Sequence, residues 1–335
     1  MSHGNLGDAL AKSGQLDDSV AAFREAIRIK PNYAAAHDGL GNAFQRRGQI
    51  DEAVSAFREA TRIDPTFAGA HNNLGTVLRM KGDVDEAMAE YREAIRLKGD
   101  NPEAHCNLGH VLRDMGQFAE ALTYLRRGHE LGSKKPRWPY SSAQWVKECE
   151  RLVELDVKLP RVLKGEAHPA DIGERLALAQ LCQLPCKSLN AAAVRFYTTA
   201  FSERPQLADD LQGQFRYNAA CAATLVGCGQ GKDADQSDEK ERARLRRQAL
   251  DWLRTDLAAY RRLLEKESEK AGSAVRQRMQ HWQQDKDFAG VRGPKALARL
   301  PEAERQAWQK LWADVADTLA RAQGETAPQK KAGEK

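Results

Sequence analysis

The sequence predicts an all-α solenoid of antiparallel helix pairs, and three observations carry that expectation. Leu6-Gly7, Leu40-Gly41, Leu74-Gly75 and Leu108-Gly109 recur every 34 residues. In the same register stand Gly14, Gly48, Gly82 and Gly116; Ser19, Ala53, Ala87 and Ala121; Phe23, Phe57, Tyr91 and Leu125; and Ala26, Ala60, Ala94 and Gly128. Apolar residues fall three to four apart, as on a helix face, and no alternating run bounded by hairpin turns suggests a strand.

Each repeat divides into two helices. A first helix, such as 68–81, ends at a glycine able to take positive φ. A second begins beside acidic residues, as in "DVDEAMAEYREAIRLK", where Asp85 and Glu86 suit the positive end of the helix dipole. Small residues at the Gly75, Ala87 and Ala94 positions admit close helix approach, while Leu74 and Tyr91 fill the space between. Each pair leaves an apolar face that only the next pair covers, so the pairs stack.

"AHNNLGTVLRMKGDVDEAMAEYREAIRL" resembles a tetratricopeptide repeat, over about residues 2–135. That resemblance implies a right-handed superhelix and a function in binding other proteins. The proline that closes the second helix is present at Pro31 and Pro65, displaced to Pro102, and missing after the fourth repeat. The first helix is cut short by Met1, which reads as a fragment or a fraying first repeat. Residues 1–135 are thus expected to hold four repeats.

Residues 136–172 read as a helical connector containing "AQWVKECERLVELDVKLPRVL". From 173 to 323 the repeat returns in degenerate form. Ala193, Tyr197, Ala200 and Pro205 match second-helix columns, "RYNAACAATLVGCG" reads as a first helix, and "RRQALDWLRTDLAAYRRLLEK" reads as its partner. A polar, mobile insertion is expected near 228–244. Trp308, Leu311, Trp312, Val315 and Leu319 form the stripe of a capping helix that opens near Pro301. Residues 324–335 are expected to be a disordered tail. "RYNAACAA", "RRQALDWLRTDL", "HWQQDKDFAGVRG" and "LPEAERQAWQKLWADVADTL" resemble tails of planctomycete-type tetratricopeptide proteins, many with a serine/threonine kinase domain upstream. An association with such a kinase is all that this implies.

Composition narrows the function. The chain of 335 residues has 52 basic and 47 acidic residues, a net charge of +5, which gives little support to a general nucleic-acid or membrane role. The start lacks a charged region followed by an apolar one, so a cytoplasmic protein is expected. Six cysteines in such a chain read as reduced, mostly packed thiols.

No active site is legible. His3, His37, His71 and His105 occupy one repeating column that helix packing explains better than zinc, because no repeating Cys or carboxylate column completes a tetrahedral set. Cys182, Cys186, Cys221 and Cys228 lie in helical text rather than knuckle turns. "GCGQGKD" lacks the first glycine, the final Ser or Thr and the preceding strand of a phosphate loop. "DFAG" at 287–290 has none of the companion motifs of a kinase. No enzyme, cofactor or metal is expected.

The groove is where function is expected. First helices of the family line it, which places inward the columns Asn5, Gly39, Asn73 and Asn107; Asp8, Asn42, Thr76 and His110; and Ala11, Gln45, Arg79 and Arg113. Asparagine offers donors and an acceptor to an extended backbone. The row is similar to the asparagine ladder of O-linked N-acetylglucosamine transferases, interrupted at Gly39. A carboxylate clamp is not matched, since Asp38, Asn72 and Cys106 stand where its lysine belongs. Candidate peptide-binding residues are Asn5, Asn42, Arg46, Asn73, Thr76, Arg79, Asn107, His110 and Arg113. The expected function is a scaffold that holds an extended, acidic protein segment. A regulatory or substrate-docking region of a serine/threonine kinase, and a self-associating array, are the alternatives.

Overall fold

A computed structural model describes residues 3–266 and 268–324. Among these residues all regular structure is helical. The first four pairs are α1 (His3–Lys12) with α2 (Leu16–Ile29), α3 (Ala34–Arg46) with α4 (Ile50–Ile63), α5 (Ala68–Lys81) with α6 (Val84–Leu97), and α7 (Pro102–Asp114) with α8 (Phe118–Ser133). Gly14, Gly48, Gly82 and Gly116 all take positive φ, from 76° to 100°, at the turn between partners. The second helices carry acids in their first turns, Asp17 and Asp18, Asp51 and Glu52, Asp85 and Glu86, and Glu120, where the dipole favours them.

The packing shows why glycine follows leucine in the repeat. A Cβ on Gly75 would lie 2.8 Å from Cε1 of Tyr91, and on Gly41 2.7 Å from Cε1 of Phe57. The bare backbone of the first helix is therefore the seat of the large side chain from the second. Ala53, Ala87 and Ala121 are fully buried beside these contacts. Ser19, the polar member of that column, is buried too and donates from Oγ to the Gly7 carbonyl at 2.8 Å.

Helix α9 (Ser142–Leu163) follows, and the chain divides into two compact units between Glu154 and Leu155, inside it. The stretch expected as a connector, 136–172, is thus shared between the units.

The second unit holds α10 (Ile172–Gln183), α11 (Asn190–Glu203), α12 (Phe215–Gly227), α13 (Glu239–Lys266), α14 (Ser268–Gln284), the short α15 (Pro294–Leu297) and α16 (Glu302–Ala322). α10 pairs with α11 and α12 with α13, and α14 and α16 pack on each other and on α13. Ala193, Tyr197 and Ala200 of α11 are buried, with the Tyr197 hydroxyl donating to Gln183 Oε1 at 2.9 Å. On α16, Trp308, Leu311 and Val315 are buried, while Trp312 is half-buried and donates from Nε1 to the Val291 carbonyl at 2.8 Å.

The segment near 228–244, expected to be mobile, contains a 3₁₀ turn at Ala234–Gln236 and the opening of α13. Asp233 is buried in it and accepts from the Ala191 and Ala192 amides at 3.0 and 2.9 Å. A polar stretch is held here because its carboxylate satisfies two amides at the start of α11 that the helix itself leaves without acceptors. Of the expected tail only Gly324 is described; 325–335 lie outside the described residues.

Candidate peptide-binding groove

In the first unit α1 touches α3, α3 touches α5 and α5 touches α7, as neighbours on the inner side of a curved stack do. The polar bonds between repeats run along the same helices. Asn73 Nδ2 donates to Asp38 Oδ1 at 2.9 Å, and Asn107 Nδ2 donates to Asn72 Oδ1 at 3.0 Å. Asn42 Nδ2 donates to the Asp38 carbonyl at 3.0 Å and to Asp38 Oδ2 at 3.1 Å. Asp38 therefore gathers two amides, one from its own helix and one from the next. Burial raises its carboxyl above the ordinary range against the opposing pull of those amides.

The other candidates are placed as follows. Asn5 is exposed on α1. Arg46 donates from Nη1 to the Ala11 carbonyl, bridging α3 to α1. Thr76 donates to the Asn72 carbonyl at 3.0 Å and accepts from the Tyr91 hydroxyl at 3.4 Å. Arg79 is exposed and has no acidic partner among the described residues. Arg113 is half-buried and pairs with its neighbour Asp114 at 3.0 Å. His110 packs edge-on against Trp145 of α9, with ring centroids 4.5 Å apart. Burial, assisted by Arg113, pushes its imidazole down to about 4, so it is neutral at neutral pH.

The structure thus brings Asn42 and Asn73 together on Asp38, ties Asn107 to Asn72, and sets His110 against Trp145, while Arg113 turns to Asp114. Asn73 and Asn107 are half-buried and hydrogen-bonded between repeats, rather than an exposed row. Asp38 and Asn72 appeared in the sequence only as mismatches to a carboxylate clamp. Their signal was the neighbouring column, because a bond between successive first helices spans 35 residues rather than 34. Trp145 and the half-exposed Tyr140, whose rings lie 5.9 Å apart, stand outside the repeat and carry no periodic signal.

Gly39 interrupts the asparagine row for a steric reason. A Cβ there would lie 2.3 Å from Cε1 of Phe23, so the ring occupies the position a side chain would need.

The histidine column has a local explanation. Nε2 of His37, His71 and His105 faces the carbonyl six residues earlier, at Pro31, Pro65 and Gly99, at 3.0, 3.1 and 3.0 Å. Each ring braces the loop entering its repeat, and each Nε2 must carry the proton because a carbonyl only accepts.

All six cysteines are free. Burial pushes the Cys106 and Cys182 thiols up to about 12. Cys221 instead lies beside Asp285 and Asp287, with one ligand atom from each within 4.8 Å of the others. The sequence hid this group because Cys221 lies more than 60 residues from the two aspartates. Asp285 already accepts from the Tyr217 hydroxyl at 2.5 Å and from the Asp287 amide at 3.0 Å, so the arrangement serves as a hydrogen-bonded brace. No helix among the described residues is long and apolar enough to cross a membrane.

Residues 7–48, 41–82 and 75–116 match the family model "TPR repeat", and residues 102–131 match "Tetratricopeptide repeat". The helix pairs of 7–131 are therefore tetratricopeptide repeats, and repeats of this kind suggest a scaffold for protein–protein interaction. No curated protein sequence matches the chain. Among solved structures, MamA is 18% identical, with 62% of this chain and 93% of that chain covered and a TM-score of 0.37. PilF of Pseudomonas aeruginosa is 23% identical, with 61% and 90% covered and a TM-score of 0.40. The first TPR of Spaghetti (RPAP3), bound to an HSP90 peptide, is 18% identical, with 33% and 88% covered and a TM-score of 0.33. At these TM-scores the likenesses add nothing to the assignment, which rests on the family models and the repeated helix pairs.

Proposed function

We propose that the first unit holds an extended protein segment along α1, α3, α5 and α7, with acidic residues of that segment over the third and fourth repeats. The observation that supports this most directly is the placement of charge on the first helices, where Arg46, tied to the Ala11 carbonyl, is followed by Arg79 and Arg113 in the later repeats. Asp8 and Asp38 lie in the first two repeats, Arg79 and Arg113 in the last two. Arg79 has no acidic partner among the described residues, only the neutral Tyr91 hydroxyl beside it, and its guanidinium offers charge-assisted bonds to a carboxylate. His110, being neutral, supplies with Trp145 an apolar contact rather than a charge. The amides of Asn73 and Asn107 each donate one bond between repeats, and Asn73 Oδ1 also accepts from Asn72 Nδ2 at 3.5 Å, so each amide keeps a further N–H and carbonyl lone pairs to offer a ligand backbone.

A regulatory or substrate-docking role for a serine/threonine kinase has no specific observation in its favour. The scaffold reading is tested by presenting an array of extended peptides, acidic and neutral, to the full chain and to the Arg79→Gln/Arg113→Gln variant. The acidic peptides should lose about tenfold in affinity, the scale of one hydrogen bond to a charged group, while neutral ones change little. Equal binding of acidic peptides by both proteins would remove the basis for this reading.

A further inference from the structure

The second unit contains a cavity of about 470 Å³ where the end of α12 and the start of α13 meet the chain entering and leaving α15. Its volume falls in the range of small-molecule sites. Arg242, Arg246, Lys295 and Arg299 line it, and Ala296 and Leu300 form an apolar wall. Glu239 is its only acidic lining residue.

The four cations are not equivalent. Arg246 is committed to the fold: it donates to Glu304 at 2.7 Å, to Glu239 at 2.9 Å and to the Gly227 carbonyl at 2.6 Å. That network also uses the charge of Glu239. Arg242, Lys295 and Arg299 have no acidic partner among the described residues. The Arg242 Nε is moreover buried with no hydrogen-bond partner. A buried guanidinium N–H without an acceptor is costly, and an acceptor entering the cavity removes that cost. Its Nη1 lies 3.4 Å from the position a Cβ would take on Gly229, a residue at φ +73°, so the guanidinium rests in contact distance of this glycine turn.

We propose that this cavity binds a phosphate group, free or carried by a small organic molecule. Three separate cationic donors suit the several oxygens of a phosphate better than the two of a carboxylate. The apolar wall leaves room for an organic substituent. This is not a phosphate loop in disguise. The lysine of "GCGQGKD", Lys232, donates to the Cys186 carbonyl at 2.7 Å and does not line the cavity. The segment also follows a helix, α12, rather than a strand. The cation set comes from α13 and from the residues in and after α15, more than 50 positions apart in the chain.

The test is calorimetric titration of the full chain with inorganic phosphate, pyrophosphate and glycerol phosphate at fixed ionic strength. At least one of the three should bind saturably. Arg242→Gln should weaken that binding about tenfold or more, the loss expected on removing a charge-assisted bond. The Lys295→Gln/Arg299→Gln variant, altered only at exposed positions, should weaken it as well, and Arg262→Gln, outside the cavity, should not. Circular dichroism establishes that each variant is folded. Tighter binding of glycerol phosphate than of inorganic phosphate identifies an organic phosphate as ligand, and the reverse order identifies the free ion. Absence of saturable binding up to millimolar concentration, or equal binding by wild type and both cavity variants, overturns the proposal.

Discussion

Asn107 donates from Nδ2 to Asn72 Oδ1 at 3.0 Å, across one full repeat and between two helices whose backbones share no regular hydrogen bonds. The bond fixes the register of α7 on α5, as the bond from Asn73 to Asp38 fixes that of α5 on α3. The same amides stand in the row that the sequence reading assigns to a ligand, and in the structure they hold successive repeats together. Asn107→Ala should lower stability by about 0.5–1.5 kcal/mol, the usual net worth of one hydrogen bond. A urea midpoint unchanged from wild type would show that the bond contributes nothing in solution.

Completing the asparagine row should be harmful. Gly39→Asn brings a Cβ within 2.3 Å of the Phe23 ring, which is almost fully buried, so the ring or helix α3 must shift. Overpacking of this kind costs roughly 1–3 kcal/mol. Pairing it with Phe23→Leu should recover part of the loss, and urea denaturation of the three variants measures the recovery.

The groove histidine makes stability depend on pH. His110 titrates near 4 in the folded chain, because of burial first and Arg113 second, against about 6.5 when unfolded. Between those values the unfolded chain binds more protons, so this group makes stability rise with pH from about 4 to 6.5. The lost stability below pH 4 is on the order of 3 kcal/mol, at 1.36 kcal/mol per unit. His110→Phe, which keeps a ring against Trp145, should flatten that part of the profile when thermal midpoints are compared from pH 4 to 7.

Arg246 should be among the most sensitive positions of the second unit. Its side chain is buried and ties α12, α13 and α16 together through Gly227, Glu239 and Glu304. Arg246→Ala strands the largely buried Glu304 carboxylate and should cost about 3–5 kcal/mol, as broken buried pairs do. Denaturant titration followed by tryptophan fluorescence reads this directly, since the aromatic cluster around Trp308 and Trp312 lies on the same helix as Glu304.

Thiol reactivity should separate the cysteines. Cys106, Cys149, Cys182 and Cys221 are buried and their thiols are pushed up by desolvation, so little reactive thiolate is present at neutral pH. Labelling of the native chain at pH 7 followed by peptide mapping should find modification first at the half-buried Cys186, with the four buried sites reacting only on unfolding.

What the sequence by itself determined is periodic and local. A 34-residue repeat, glycines at fixed offsets and apolar residues three to four apart specified the eight helices of the first four pairs, including α5 at Ala68–Lys81. They did so because each repeat must bury the same stripe against the same neighbour. In the second unit the matching columns at Ala193, Tyr197 and Ala200 were likewise readable. Tertiary structure alone decided what is aperiodic: that Phe23 fills the place of a side chain at Gly39, that Asp38 and Asn72 receive the asparagines, that Asp233 holds a polar segment to the start of α11, and that Arg242 converges with Lys295 and Arg299. Such contacts join residues at irregular separations, and their geometry depends on how each helix is rotated and offset by everything packed around it, which no repeat in the chain encodes.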